Sequence, residues 1–428
     1  MPTRTSALTR AAAALTSAAL ATTAVTLGLA TGAPAAASAA PGCGTITSPE
    51  TRVEHTRLTE PAVADILARS GFDDVAGTVR AAVCDAGHSR VAVAAARLAG
   101  QALWQRAVDR VQGRGDTGGD LPRSDDRPLY WARLAGELEL ARVAPGFPSW
   151  SEDARHKVMR AFDEASRGID TTRFDGGKHA RQRQVLASGF DPFTLDRNIR
   201  QSNPSGATAL AMDGRTVSTP DGPVEIQTVV FPVLWGPFAD GIVERAFLPH
   251  LVSGRRTVDT AITISQGREG RFDLEYWNGA HRGTVPDNDR VVVDETIPIP
   301  EDLPHTTPQP QWTRTTLPTD AMKAAPTGSF PVNINHTITE IPAGSTTPVT
   351  REDPTPGSTA VAGAGGDYLS NESAYRATAL RDALEADTKQ GHIHVPILSG
   401  DATGEPVAEM RDGIVAQTLA LVVAAATN

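Results

Sequence analysis

The strongest constraint on the fold is a change of residue patterning near position 181. Before it, Ala, Val and Leu recur at helical spacing over 62–69, 75–84 and 91–111, with Arg and Asp on the other faces. Two more helix-like stretches follow at 130–144 and 151–166, the second opening with Ser151 as a capping residue ahead of Glu152 and Asp153. A Gly/Asp-rich loop over 113–126 separates the two groups. From 181 onward, short strand-like segments (184–188, 224–233, 257–265, 367–370 and 392–397) are interspersed with helix-like ones at 236–251 and 405–426. A chain of this kind buries its strands in one largely parallel sheet and covers both faces with helices. The expected fold is α/β: a three-layer α/β/α sandwich over 181–428, preceded by a mainly helical N-terminal domain over 41–180. Within the sandwich, 298–366 is rich in Pro, Thr and Gly and reads as an insertion, such as a lid, a hairpin or a mobile loop.

The first 40 residues read as an export signal. Arg4 and Arg10 supply the positive start, 11–30 is an uncharged Ala/Leu/Val/Thr run, and Ala37-Ser38-Ala39-Ala40 offers small residues for cleavage. The run is also about long enough for a membrane anchor, but its Ala and Thr content and small-residue tail favour cleavage. No other segment reads as long and apolar enough to cross a bilayer, so the mature chain is expected to be secreted and extracellular, with no membrane contact. Loss of the two arginines moves the net charge from −10 to −12. That charge argues against a generic binder of nucleic acid or of anionic lipid. The two cysteines, Cys43 and Cys84, are expected to form one disulfide in an oxidising compartment. Two thiols without His at zinc spacing do not complete a metal site.

Three motifs carry the chemistry. Gly189-Phe190-Asp191-Pro192-Phe193 follows a strand-like segment and runs on to Asn203-Pro204-Ser205 before a helix, the way an α/β domain presents an apolar ligand platform at a strand end. Next comes Thr263-Ile264-Ser265-Gln266-Gly267-Arg268-Glu269-Gly270-Arg271, then Glu275, Asn278 and Pro286-Asp287-Asn288-Asp289. Last is Gly391-His392-Ile393-His394-Val395-Pro396. In this order, over about 184–428, they resemble the pyroglutamyl peptidase I (pyrrolidone-carboxylate peptidase) family, cysteine peptidases that remove N-terminal pyroglutamate. The resemblance implies a sandwich of the phosphorylase/hydrolase-like type. It puts Phe190 and Phe193 on the two rings that hold the pyrrolidone, and Arg268 on a ring-binding position. It puts Arg271 on the Gly-Arg element, Glu275 on the triad carboxylate and His394 on the general base. A carboxylate that fixes an imidazole's tautomer while its other nitrogen takes a proton is sound chemistry for a nucleophile's base.

The nucleophile itself is missing. Family members carry Ser-Asn, a small-residue turn, an aromatic and then Cys-Asn opening a helix, whose N-terminal field lowers the thiol pKa. Here Tyr368-Leu369-Ser370-Asn371-Glu372-Ser373-Ala374-Tyr375-Arg376-Ala377-Thr378, aligned on Tyr375, puts Ala377 or Thr378 at the cysteine, and no cysteine follows Cys84. The expected function is that of a secreted pyroglutamyl-peptidase-like protein whose hydrolysis is weak or lost. The alternative is a non-catalytic extracellular protein that binds a peptide terminus or another partner. The ligand is expected to be a peptide or small acyl amide, with no cofactor. His392 and His394 lie two apart on one strand face but lack a third metal ligand. Dinucleotide, Walker and nucleophile-elbow motifs do not occur, and the sequence leaves the oligomeric state open.

Overall fold

The structure is a computed structural model that describes residues 43–115, 118–174, 182–252, 254 and 257–428. The proposed export signal lies outside the described residues. Helices come first: α1 (Pro61–Ser70), α2 (Val75–Cys84), α3 (Ser89–Val111), α4 (Arg127–Arg142) and α5 (Glu152–Ala165). Their ends follow local rules. Pro61 sits in the first turn of α1, where no N–H is needed, and Gly71 closes it in the left-handed region (φ 73°). Ser151 caps α5 by accepting from the Ala154 N–H at 3.1 Å. Cys43 and Cys84 are disulfide-bonded, tying the chain ahead of α1 to the end of α2.

The second half is a mixed α/β structure around a seven-stranded, mostly parallel sheet. Its strands are β1 (Arg183–Phe190), β2 (Arg215–Thr219), β3 (Gly222–Phe231), β4 (Thr260–Gln266), β5 (Phe272–Glu275), β6 (Val332–Asn335) and β7 (Lys389–Val395), in the spatial order β6-β5-β7-β4-β1-β3-β2. β7, β4, β1 and β3 run parallel, β5 is antiparallel to β7, and β2 is antiparallel to β3. Helices α6 (Pro204–Met212), α7 (Ile242–Leu251), α8 (Leu369–Ala383) and α9 (Ala408–Thr427) complete it. The period-2 alternation of strands sorts their side chains by face. Val185, Ala187, Val224, Ile226, Ile262, Ile264, Ile393 and Val395 share a core with Ile414, Leu421 and Val422 of α9. Leu186, Phe231 and Ala261 point the other way, into a core with Phe247 of α7 and Leu380 of α8. By the same alternation His392 and His394 stand on the α8 face. The helical first half shares its own core with this sheet region, since Trp104 and Phe162 cluster with Ala209, Leu210 and Val230.

Four expectations need correction. The segment 367–370 is no strand: α8 starts at Leu369. Its residues Leu369, Ala377 and Leu380 are apolar at helical spacing and share one buried core, which outweighs the short aromatic-apolar run that looked strand-like. The stretch 298–366 is not wholly an insertion, because it supplies β6, paired in parallel with β5. Its remainder includes a three-stranded sheet of Ile338–Ile341, Val349–Arg351 and Thr359–Ala362. The helix expected over 236–251 is broken at Asp240-Gly241, where Gly241 adopts φ 76°. Finally, α9 is long and apolar enough to cross a membrane by length and composition. It packs instead against β1 and α6.

Candidate active site

The sheet's pairing register builds the site. Glu275, the last residue of β5, lies opposite His392 on β7, so its side chain reaches diagonally to His394. The His394 Nδ1–H donates to Glu275 Oε1 at 2.6 Å. Glu275 is buried, and its other oxygen accepts from Asn335 Nδ2 at 2.7 Å across the β5–β6 pair. Because an ionised carboxylate only accepts, this contact puts the imidazole proton on Nδ1 and leaves Nε2 as the free base. Two glycines make room for the ring. A Cβ at Gly267 would lie 2.6 Å from His394 Cβ, and one at Gly365 would lie 3.1 Å from His394 Cε1.

Gly365 also links the pair to α8. Ser370 Oγ donates to the Gly365 carbonyl at 3.2 Å. Ser370 is half-buried in the first turn of α8, where the first helical bond runs from Glu372 N–H to the Tyr368 carbonyl. The amides of Leu369, Ser370 and Asn371 precede that bond, so they have no partner within the helix and carry its positive end. Asn371 locks this turn against the neighbouring strand Trp277–Gly279: its Oδ1 accepts from Gly279 N–H at 2.9 Å, and its Nδ2 donates to the Gly279 carbonyl at 2.9 Å.

A small cavity of about 30 Å³ opens beside Ser370, with Phe190, Phe193, Gln266, Tyr368 and Leu369 among its walls. Phe190 is mainly a core residue, stacked at 6.0 Å on Phe238, and also lines the cavity. Phe193 is half-buried, with its ring 6.4 Å from that of Tyr368. The loop between them is held from below by buried ion pairs: Arg133 Nη1 and Arg167 Nη1 donate to the two oxygens of Asp191 at 2.8 and 2.7 Å. Asn203 caps α6 and also donates to the Asp191 carbonyl at 2.9 Å.

The structure does not bring every candidate together. Arg268 and Arg271 both turn to Asp273, at 2.7 and 3.1 Å, and neither lines the cavity; Gln266 does. Arg268 still lies 3.6 Å from Glu275. His392 is held between Thr263 Oγ1 (2.7 Å) and Ser265 Oγ (2.8 Å), and burial, helped by the neighbouring His394, keeps its pKa well below the ordinary range and the ring neutral. Both of its nitrogens are thus taken by hydroxyls. Ala377 and Thr378 lie two helical turns beyond Ser370, roughly 10 Å along the axis, and both are buried in the interior of α8. Thr378 Oγ1 is committed to the Ala374 carbonyl and to Thr313 Oγ1, each at 2.7 Å. Ser370 is the residue that sequence reasoning passed over. The signal was there: Gly363-Ala364-Gly365-Gly366 is a small-residue turn, Tyr368 an aromatic, and Ser370-Asn371 opens a helix. Taking Tyr375 rather than Tyr368 as the aromatic moved the alignment onward by seven or eight positions.

Fold and site together define an α/β protein with a buried carboxylate–imidazole pair, His394 near the C-terminal end of β7 and Glu275 on its antiparallel neighbour β5. A family model described as the PA0049 N-terminal domain matches residues 34–163, and one described as the PA0049 C-terminal domain matches 184–309 and 329–399. The uncharacterized protein PA0049 of Pseudomonas aeruginosa is 34% identical over 465 aligned positions, covering 85% of this chain and 84% of that protein. The chain belongs to the PA0049 family. Among solved structures, a mutant pyrrolidone carboxyl peptidase from Pyrococcus furiosus aligns at 20% identity over 56% of this chain and 97% of its own, with a TM-score of 0.39. Pyroglutamyl peptidase I from Bacillus amyloliquefaciens aligns at 18% identity over 58% and 96%, with a TM-score of 0.40.

Proposed function

We propose that this protein is a serine-type acyl hydrolase that cleaves an N-terminal acyl amide, with pyroglutamyl peptides as the first substrate class to test. One observation carries the reading: a hydroxyl in the first turn of a helix, Ser370, is bonded to Gly365, which abuts a histidine bound at 2.6 Å to a buried carboxylate. The reaction requires Ser370 Oγ to leave the Gly365 carbonyl and bond to His394 Nε2; such bonds are commonly longer before substrate binds. Oγ then attacks the amide carbonyl carbon while His394 Nε2 takes its proton, and Glu275 stabilises the imidazolium. The free amides at the start of α8 are suited to stabilise the oxyanion. His394 returns the proton to the leaving amine, and water repeats the sequence on the acyl-serine. The missing cysteine is then a replaced one, and the motif order resembling pyroglutamyl peptidase supports the substrate class. The cavity holds about one water as it stands, so a lactam ring enters only when Phe193 swings away from Tyr368. Export belongs to the same proposal: the Cys43–Cys84 bond fits an oxidising compartment.

The test is hydrolysis of a fluorogenic pyroglutamyl amide by the mature chain, beside Ser370→Ala and His394→Ala. Turnover lost in both variants, with a fluorophosphonate adduct on Ser370 in the parent, supports the proposal. Turnover that survives Ser370→Ala refutes it, and binding without turnover in the parent favours the non-catalytic alternative.

A further inference from the structure

The cavity beside Ser370 has five polar side chains in its walls, those of Asn203, Ser265, Gln266, Tyr368 and Ser370. Two of them are spent on the protein itself. Asn203 accepts from the Ser205 N–H at 3.0 Å and donates to the Asp191 carbonyl at 2.9 Å, and the Tyr368 hydroxyl donates to the Pro286 carbonyl at 3.0 Å. With Ser370 assigned to the chemistry, Ser265 and Gln266 remain, 5% and 8% exposed. Gln266 Oε1 accepts from the Leu398 N–H at 3.4 Å, so its NH2 is left to donate.

What Ser265 offers is set by His392. Ser265 Oγ lies 2.8 Å from His392 Nε2, and Thr263 Oγ1 lies 2.7 Å from Nδ1 and 3.4 Å from the Gly391 carbonyl. That carbonyl only accepts, so the Thr263 proton points to it and His392 Nδ1–H donates to Thr263. His392 Nε2 then accepts the Ser265 proton. The opposite tautomer gives up the Thr263–Gly391 bond. Ser265 thus spends its one proton on His392 and keeps its lone pairs for a ligand. We infer that Ser265 is a specificity-determining residue that accepts a hydrogen bond from an N–H of the acyl group, while Gln266 donates to the carbonyl beside it. His392 and Thr263 are positioning residues that fix the Ser265 hydroxyl. The acyl group this selects is compact and carries N–H and C=O side by side, as a lactam does. The inference rests on the acyl-hydrolase reading of this cavity and deepens it.

The test compares 2-pyrrolidone with cyclopentanone, the same ring with CH2 in place of N–H, by NMR titration of the mature chain. 2-Pyrrolidone is expected to bind at least about tenfold more tightly, the worth of one hydrogen bond made out of water. Without a waiting acceptor the order reverses, because the N–H must still be desolvated. Ser265→Ala is expected to bring the two affinities within about threefold of each other. The imidazole ¹⁵N shifts of His392 in the parent are expected to place the ring proton on Nδ1. No binding of 2-pyrrolidone, equal affinities in the parent, a preference that survives Ser265→Ala, or a ring proton on Nε2 overturns the inference. The two readings on the parent decide the matter even where Ser265→Ala does not fold. Neither probe has a leaving amine, so the result does not depend on turnover. A parent that prefers 2-pyrrolidone but cleaves nothing refutes the Ser370 chemistry and keeps the Ser265 assignment.

Discussion

Glu275→Gln is the most exacting test of the proposed chemistry, because the structure dictates which way the new amide must face. Asn335 Nδ2 donates to Glu275 Oε2 at 2.7 Å and to the Ala364 carbonyl at 2.8 Å, so it must meet an acceptor at position 275. The Gln carbonyl therefore stays against Asn335, and its NH2 falls where Oε1 now meets His394 Nδ1 at 2.6 Å. Nδ1 must then accept, which moves the ring proton to Nε2 and removes the base that takes the Ser370 proton. In serine hydrolases the equivalent change of tautomer lowers kcat by about 10⁴. We expect a fall of ~10³–10⁴ here, or about 4–5 kcal/mol in the barrier. The assay is turnover of the fluorogenic pyroglutamyl amide, with the imidazole ¹⁵N shifts of His394 as an independent reading of the tautomer. Turnover within a factor of about ten of the parent in Glu275→Gln, or a ring proton still on Nδ1, would refute the reasoning.

Other expectations follow from the same geometry. Ser370→Cys should keep turnover at least near the parent's, since a thiol in the first turn of a helix is a competent nucleophile, whereas Thr378→Val should cost about 1–3 kcal/mol in denaturant unfolding and leave turnover unchanged. Loss of turnover in Thr378→Val with stability retained would return the nucleophile to that position. Burial, opposed by Arg52, raises Glu54 to about pKa 7, so its contribution to stability is full below its unfolded value near 4.3 and is lost as pH rises through about 7. Comparing unfolding at about pH 5 and about pH 8, the parent should lose roughly 3 kcal/mol more than Glu54→Gln; parallel profiles would show that Glu54 does not titrate in this window. Replacing Cys43 and Cys84 by serine opens a loop of sequence separation 41 and should lower stability by ~4 kcal/mol, and an unchanged melting temperature would count against that estimate.

Much of the site was legible because its strands are short and their residues unambiguous. Glu275 and His394 each stand on a strand whose neighbours alternate apolar and polar, so the motif alone pointed to both, and the register of β5 against β7 brings them together. Phe190 ends β1 and Phe193 lies in the loop after it, and both line the small cavity. The arginines were harder. Arg268 and Arg271 sit in a Gly-rich turn, and what decides their direction is Asp273, two and five residues away along the chain and buried beside them. Ser370 was missed because Tyr368 and Tyr375 both offer an aromatic ahead of a small or hydroxyl residue, and choosing the second shifts the alignment by two turns of helix.

The sequence by itself determined the patterning: helices first, then strands alternating with helices, a carboxylate and an imidazole on strands, and two cysteines in pairing distance of one another along the chain. These depend on periodicity and residue type, which are local. Only the tertiary structure decided that β6, from a Pro- and Thr-rich stretch, belongs to the central sheet and orients Glu275 through Asn335. It alone set Gly365 between His394 and Ser370. Those facts rest on which segments, far apart in the chain, are pressed together, and no local pattern encodes that.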